Sequence, residues 1–212
     1  TQQDSEAPGW FRRALKVPFE DREVAVAETS IHYLYWAERE TLPGLVLVHG
    51  NGAHAHWWRF IAPFFLKEYR VAALDLSGMG DSGHREHYSP ELFADEVMAV
   101  AKHAGFGTDT IVVGHSFGGF VTIQTALRFG HELGGVVLVD SPVRPPDYAW
   151  ERDPKRSPIR AKRVYPDRAT AEGRFRLMPP QDCENGYILR YIAEHSVTEV
   201  PGGFSWKFDD RM

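Results

Sequence analysis

Four short apolar runs, separated by segments with helical spacing, constrain the fold of this chain more than any other feature of its sequence. The runs cover residues 45–49, 70–76, 110–114 and 135–140. Continuous apolar runs of this length are typical of strands that are buried on both faces of a sheet. Helical spacing of apolar residues recurs between them, over residues 57–68, 90–104 and 118–129. Alternation of strand and helix predicts a mostly parallel sheet with helices on both faces, an α/β fold.

Two further strands are predicted ahead of these runs. Residues 23–27 and 31–36 are rich in β-branched and aromatic side chains, and the turn-prone residues 28–30 separate them. This pattern indicates an antiparallel pair. We therefore expect six strands within residues 1–141, which would form the core domain.

The sequence changes character after Ser141. Residues 142–212 are rich in proline and contain no apolar run of the buried-strand kind, and two short helices are predicted near residues 170–177 and 184–195. Proline interrupts both helices and sheet ladders. We interpret residues 142–212 as a helical cap inserted after the sixth strand, over the carboxyl ends of the strands.

Residues 114–118 read Gly-His-Ser-Phe-Gly and stand where a predicted strand turns into a predicted helix. A turn this tight leaves no room for larger side chains at Gly114 and Gly118, and it pushes the hydroxyl of Ser116 out towards a substrate. The N-terminus of the following helix favours negative charge that develops nearby. Ser116 is therefore the candidate nucleophile.

A second motif, His-Gly-Asn-Gly at residues 49–52, directly follows the first buried run. A backbone N–H of this loop, that of Asn51, and the N–H of Phe117 would together form an oxyanion hole. His49 precedes the glycine turn, so we interpret it as a residue that pins the loop rather than as the general base.

A third motif, residues 75–82, follows another predicted strand and contains glycines that allow the chain to turn sharply. Asp75 and Asp81 are predicted to hold the backbone of this loop through hydrogen bonds rather than to take part in the chemistry.

The three motifs, HGNG, DLSGMGDS and GHSFGG, occur in the order and spacing of the α/β-hydrolase superfamily, and the segments AHAHWW and GGFSWKFD resemble its esterase-like members. The resemblance runs from about residue 24 to the end of the chain. It implies an eight-stranded, mostly parallel sheet, a serine–acid–histidine triad and a cap after the sixth strand. By match to the motifs, Ser116 is the nucleophile, and the N–H groups of Asn51 and Phe117 form the oxyanion hole. The related dehalogenases and epoxide hydrolases place an aspartate where this chain has Ser116.

In that superfamily the triad acid follows the seventh strand and the histidine follows the eighth. Neither strand is predicted before Met212, so we expect the acid, the histidine and the last core strands to be absent from this chain. Asp140, at the end of the sixth strand, is the alternative acid, although it equally suits the turn at Ser141. His131 is expected at the far end of the helix that starts near the nucleophile, and His195 in a helix-capping position.

Composition and charge bear on the partners and the cellular location of the chain. The net charge of −5 argues against non-specific nucleic-acid binding, and no apolar run reaches the length of a membrane helix. The single cysteine, Cys183, fits a reducing compartment, so a cytoplasmic location is predicted. The chemistry needs no cofactor, and His54 and His56 lack a third ligand, so no metal site is predicted. The apolar edge formed by residues 136–139 favours pairing with a companion C-terminal segment or a homodimer.

The predicted function is hydrolysis of a small-molecule carboxylic ester through an acyl-serine intermediate. Two alternatives stay open. One is the same chemistry on another bond, such as an amide, a thioester or a lactone. The other is a non-catalytic ligand-binding relative, or an inactive fragment that lacks the triad histidine. Aromatic residues of the cap would line an acyl pocket or pack the cap itself: Tyr148, Trp150, Tyr187, Tyr191, Phe204 and Trp206.

Overall fold

The computed structural model describes residues 7–143 and 162–211. The chain divides into two compact units, one that ends at Ser141 and one that begins at Pro142.

The first unit contains a six-stranded sheet. Its strands are β1 (Glu20–Val26), β2 (Thr29–Trp36), β3 (Gly44–Val48), β4 (Arg70–Leu74), β5 (Ile111–His115) and β6 (Gly135–Val139). Their order across the sheet is β1-β2-β4-β3-β5-β6. Strands β3 to β6 are parallel to one another, whereas β1 and β2 form an antiparallel hairpin and β2 runs antiparallel to β4. The predicted α/β sheet, with its antiparallel first pair, is confirmed.

Strands β3 and β4 are buried along their whole length, as their continuous apolar runs predict. Burying each leucine or valine side chain stabilises the fold by roughly 1.5–3 kcal/mol. One hydrophobic cluster comprises Leu34, Trp36, Leu45, Leu47, Ala55, Ala62, Leu66, Val71 and Ala73. This packing fixes the central strands, and with them the loops at their carboxyl ends.

Three α-helices belong to this unit: α1 (Gly9–Lys16), α2 (Pro90–His103) and α3 (Phe117–Phe129). Helix α2 begins as predicted, because Ser89 Oγ accepts a hydrogen bond from the N–H of Leu92 at 3.2 Å and Pro90 lies in the first turn. Helix α1, which buries Phe11 and Ala14, has no counterpart among the predicted elements. None of the described helices is long and apolar enough to cross a membrane.

The prediction of a helix over residues 57–68 is wrong. That segment contains parts of two short 3₁₀ helices, Ala55–Trp57 and Ala62–Phe65. Pro63 lies in the first turn of the second one and cannot donate the amide hydrogen bond that a longer helix needs there. The guanidinium of Arg59, which lies between these two short helices, donates to the backbone carbonyls of Ala14, Leu15 and Val17.

Strand β6 is an edge of the described sheet, because it pairs with β5 alone. Three of its side chains, Val136, Val137 and Val139, are 41%, 47% and 40% exposed. An exposed apolar edge strand promotes association with another strand. The apolar edge expected from the sequence is therefore present in the described sheet.

In the second unit, two short helices are present as predicted: α4 (Arg168–Glu172), which is shorter and begins earlier than predicted, and α5 (Gly186–His195). An antiparallel hairpin of β7 (Val197–Val200) and β8 (Gly203–Trp206) follows and was not expected. Pro201 and Gly202 form its turn, and Gly202 has a φ of 89°, so this Pro-Gly pair is the sequence signal for the hairpin. The described part of this unit is therefore not purely helical.

The described aromatic residues of the second unit contact their neighbours within it. The ring of Trp206 lies 5.8 Å from that of Tyr165, and the ring of Tyr191 lies 4.2 Å from that of His195, measured between centroids. These contacts favour the interpretation that the aromatic side chains pack the unit itself. Two of the predicted pocket residues lie outside the described residues: Tyr148 and Trp150.

Candidate active site

Ser116 lies at the sharp turn between β5 and α3, with a φ of 53° and a ψ of −116°. This conformation is strained for a residue that carries a side chain. Hydrogen bonds hold it on both sides. The N–H of Ser116 donates to the carbonyl oxygen of Val139 at 2.9 Å, and the carbonyl oxygen of Ser116 accepts from Ser141 Oγ at 2.9 Å. These two hydrogen bonds connect the strained serine to the last residue of the neighbouring strand, β6, and to a residue just after it.

The backbone around this turn packs too closely for side chains at its two glycines. A Cβ atom at Gly118 would lie 2.5 Å from the carbonyl oxygens of Val48 and His49. A Cβ atom at Gly114 would overlap the carbonyl oxygen of Gly118. The predicted reason for both glycines, a turn without room for larger residues, is confirmed, and the start of α3 lies directly against the end of β3.

The loop after β3 lies beside Ser116. A Cβ atom at Gly50 would lie 3.4 Å from the Cβ atom of Ser116. Asn51, the next residue, is exposed, and Phe117 is the first residue of α3, where a helix offers its N–H groups no intrahelical acceptor. No described residue accepts a hydrogen bond from the N–H of Asn51 or of Phe117. The two predicted donors therefore stand on the two segments that flank Ser116.

His49 is buried, and both of its ring nitrogens are engaged. Nδ1 lies 2.7 Å from the carbonyl oxygen of Gly50, and Nε2 accepts the N–H of Leu76 at 3.1 Å. Because the N–H of Leu76 can only donate, the ring proton resides on Nδ1. Burial lowers the pKa of His49, which keeps the ring neutral. His49 therefore pins the loop, as predicted, and cannot serve as the general base while these bonds are in place.

Asp75, directly after β4, is buried and has three hydrogen-bond partners. Its Oδ1 accepts the N–H of Ala55 at 2.5 Å, and its Oδ2 accepts the N–H of Asp81 at 2.9 Å. Oδ2 also lies 2.8 Å from Nδ1 of His32. Burial opposes ionisation of Asp75, but the hydrogen bond and charge of His32 outweigh it and lower the pKa below its ordinary value. The prediction that Asp75 holds loop backbone is confirmed, and Asp81 contributes its backbone N–H.

His32, Asp75 and Asp81 are the described residues whose candidate ligand atoms come close enough together to hold a metal ion. The oxygens of Asp75 already accept N–H donors, which would repel a cation, so the cluster is better described as a hydrogen-bond network. His32 was missed by the sequence reasoning because β2 has the composition of an ordinary aromatic strand. The signal available in the sequence was one histidine among the aliphatic and aromatic residues of β2.

The rest of a catalytic triad is not assembled among residues 7–143 and 162–211. No side chain in these ranges forms a hydrogen bond with the hydroxyl of Ser116. His131 lies in the 3₁₀ helix that follows α3, at the end of α3 remote from the nucleophile. The Nδ1 atom of His195 lies 2.7 Å from a carbonyl oxygen in the last turn of α5, in agreement with a helix-capping role. Asp140 directly follows β6, is exposed and has a φ of 48°.

Replacing Ser116 with glycine should raise the free energy of unfolding by about 1 kcal/mol, because glycine adopts this backbone conformation without the strain. Ser116→Ala is the matched control, since alanine also lacks the hydroxyl but retains the strained Cβ atom. Urea unfolding of the three proteins measures the difference. Equal stability of the glycine and alanine variants would show that the strain does not exceed the roughly 0.5–1 kcal/mol that the greater freedom of glycine in the unfolded chain costs.

A family model described as the alpha/beta hydrolase family matches residues 45–205. The chain therefore belongs to the α/β-hydrolase family. It is 35% identical over 107 residues to the pimeloyl-(acyl-carrier protein) methyl ester esterase of Edwardsiella ictaluri, a match that covers 50% of this chain and 40% of the relative. It is 27% identical over 114 residues to epoxide hydrolase 4 of Homo sapiens, covering 52% of this chain and 31% of the relative. The chain thus spans less than half the length of these curated relatives.

Solved structures agree on the fold. The thioesterase domain from the curacin biosynthetic pathway superposes with a TM-score of 0.71 at 24% identity, over 91% of this chain and 73% of that domain. An identity this low establishes a common fold and leaves the substrate open.

Proposed function

We propose that the protein is a serine hydrolase that cleaves a carboxylic ester, or a related acyl bond, of a small molecule through an acyl-serine intermediate. The observation that carries this proposal is the strained Ser116, flanked by the N–H groups of Asn51 and Phe117. Strained backbone clusters at active sites. Each N–H aimed at a developing alkoxide stabilises it by about 2.7–4 kcal/mol, by analogy with donor deletions.

The relatives support the choice of bond. One of them is named as a methyl ester esterase, which favours an ester. Another is named as an epoxide hydrolase, and the family resemblance implies that this enzyme class has an aspartate where this chain has Ser116. A serine forms an acyl intermediate with a carbonyl substrate, so the residue at this position favours acyl transfer.

In the proposed reaction, Ser116 Oγ attacks the acyl carbon while a base removes its proton. The carbonyl electrons move to the substrate oxygen, which accepts hydrogen bonds from Asn51 and Phe117. Collapse of this intermediate breaks the bond to the alcohol, and the alcohol leaves with the proton. Water then attacks the acyl-serine in the same way, which releases the acid and restores Ser116. The proposed steps use no cofactor.

We propose that the histidine and the acid of the triad come from a companion C-terminal segment, and that this segment or a second copy of the chain pairs with the apolar edge of β6. Exposure of three valines on that strand supports a partner there. Asp140 is the alternative acid, since it ends the strand next to that of Ser116. In this proposal residues 1–141 are the core domain, residues 142–212 are the cap, and the protein works in the cytoplasm.

Labelling with a fluorophosphonate tests the proposal, because this reagent modifies a serine that an adjacent base activates. Mixed with the proposed companion segment, the chain, 24.0 kDa by sequence, should gain the mass of one adduct, and peptide mapping should place it on Ser116. Ser116→Ala should gain none. Esters, thioesters and amides that share one acyl group would then identify the bond that is cleaved. Ligand binding without any adduct would instead indicate a non-catalytic binding protein or an inactive fragment that lacks the triad histidine.

A further inference from the structure

His32 stands between two carboxylates, where the first hairpin meets the loops of the site. Its Nδ1 lies 2.8 Å from Oδ2 of Asp75, and its Nε2 lies 3.2 Å from Oδ1 of Asp21. A neutral imidazole carries one ring proton and would turn a lone pair towards one of these carboxylates. Both contacts are favourable only in the imidazolium form, in which each nitrogen donates. This geometry therefore favours a positive charge on His32 at neutral pH.

Asp75 connects this charge to the segment that follows β3, residues 49–55, which we call the oxyanion loop. Its Oδ1 accepts the N–H of Ala55, at the start of a 3₁₀ helix. A buried carboxylate keeps its charge only when a cation and hydrogen bonds compensate it. Loss of the proton from His32 would therefore weaken the acceptor that holds this end of the loop.

We propose that protonated His32 is a positioning residue, which acts through Asp75 to hold the oxyanion loop where the N–H of Asn51 meets the substrate. It contacts Asp75 and Asp21 rather than reacting atoms, so it is not a catalytic residue. The effect of His32 on acyl transfer rests on the proposed function, whereas its effect on the loop does not.

This arrangement makes the oxyanion loop sensitive to alkaline pH. Burial disfavours the charged ring, but the hydrogen bond and charge of Asp75, the hydrogen bond of Asp21 and the charge of Asp81 raise the pKa of His32 to about 9. Because this value exceeds the ordinary 6.5, the stabilisation is complete below pH 6.5 and is lost as the pH rises through 9. The titratable groups that face His32 and Asp75 from the surrounding elements are Asp21 and Glu23 of β1, Asp81 of the loop after β4, and His49 and His54 of the oxyanion loop.

Nuclear magnetic resonance of the full chain tests the proposal without relying on activity. Nitrogen-detected spectra should show both ring nitrogens of His32 protonated at pH 7, with a midpoint near the pKa of about 9. The protection factor of the Ala55 amide should fall across the same midpoint. In His32→Asn, which retains a neutral donor towards Asp75, protection of Ala55 should be at least about tenfold lower at pH 7, the loss equivalent to 1.4 kcal/mol. His103→Asn is the matched control, because His103 bonds the hydroxyl of Tyr33 and faces neither carboxylate.

The rate of fluorophosphonate labelling, measured with the proposed companion segment present, supplies the functional readout. In the unmodified protein the labelling rate should decline above pH 9. In His32→Asn the labelling rate should be at least about tenfold slower at pH 7 and should show no decline above pH 9. A neutral His32 ring at pH 7 would overturn the proposal, and so would a charged ring whose removal leaves Ala55 protection unchanged. If Ser116 is not labelled at any pH, the proposed function fails, while the Ala55 measurements still decide the role of His32. If His32→Asn does not fold, the pH titration of the unmodified chain decides it.

Discussion

Replacing Arg85 with methionine should lower the free energy of unfolding by about 3–5 kcal/mol, because it leaves the buried carboxylate of Glu96 without its partner. Arg85 and Glu96 are 8% and 0% exposed. Arg85 Nε donates to Glu96 Oε1 at 3.0 Å. The terminal nitrogens of the same guanidinium donate to the carbonyl oxygens of Val26 and Ala27, at the turn between β1 and β2. Arg85→Met therefore removes the hydrogen bonds of this side chain to α2 and to the β1–β2 hairpin at the same time.

Urea unfolding at pH 7 measures this effect, with Arg128→Met as the matched control. Arg128 pairs with Asp95 at 3.1 Å on the surface, so its loss should cost less than about 1 kcal/mol. Adding Glu96→Gln to Arg85→Met should restore part of the stability, because a neutral amide needs no counter-charge and still accepts the N–H of Ser77. A cost below about 1 kcal/mol for Arg85→Met would contradict the dependence of the buried carboxylate on its partner.

Gly118→Ala should lower the free energy of unfolding by about 3 kcal/mol and slow fluorophosphonate labelling of Ser116 by at least about 100-fold. The added Cβ atom would lie 2.5 Å from the carbonyl oxygens of Val48 and His49. These are backbone atoms, which cannot rotate aside as the end of a side chain can. Either β3 or the first turn of α3 has to move, and the N–H of Phe117 moves with that turn.

Gly130→Ala provides the control for this substitution. No atom lies within 4 Å of a Cβ atom built at Gly130, and its φ of −56° suits alanine. Its stability should be unchanged, or higher by up to about 1 kcal/mol because the unfolded chain loses freedom. Labelling of Gly118→Ala at the normal rate would contradict the close packing of α3 against β3.

The central strands β3 and β4 could be predicted from the sequence because they contain continuous apolar runs, which suit burial on both faces. The run of β6 also predicted a strand, although three of its valines are exposed at the edge of the described sheet. The turn at Ser116 could be predicted for a similar reason, since Gly114 and Gly118 leave room for backbone alone. The helix expected over residues 57–68 could not be corrected from its spacing. Pro63 removes an amide donor in that segment, and Arg59 bonds to carbonyl groups more than 40 residues away in the chain.

The network around Asp75 was predictable only in part. An aspartate in a glycine-rich loop after a strand indicates hydrogen bonds to loop backbone, and these bonds are present at Ala55 and Asp81. The pairing of Asp75 with His32 depends on the alignment of β2 beside β4, which a single sequence does not specify. Asp140 stays a prediction as the alternative triad acid, and no base was assigned to this chain. The oxyanion roles of Asn51 and Phe117 also stay predictions, which labelling experiments can test.

The hydrogen bonds between Ser116 and the end of β6 make the conformation of the serine depend on whether that strand is in place. The N–H of Ser116 donates to the carbonyl oxygen of Val139, the last residue of the edge strand β6, and the carbonyl oxygen of Ser116 accepts from Ser141, two residues further on. An edge strand has a neighbour on one side only, and segments with fewer packed contacts open locally at a lower free-energy cost than central strands do. Each opening would free the strained turn to relax, so the fraction of molecules with Ser116 in the strained conformation would follow local opening of β6 rather than global unfolding. A peptide that pairs with this strand should therefore raise that fraction, and with it the rate of the proposed reaction, without contacting the substrate.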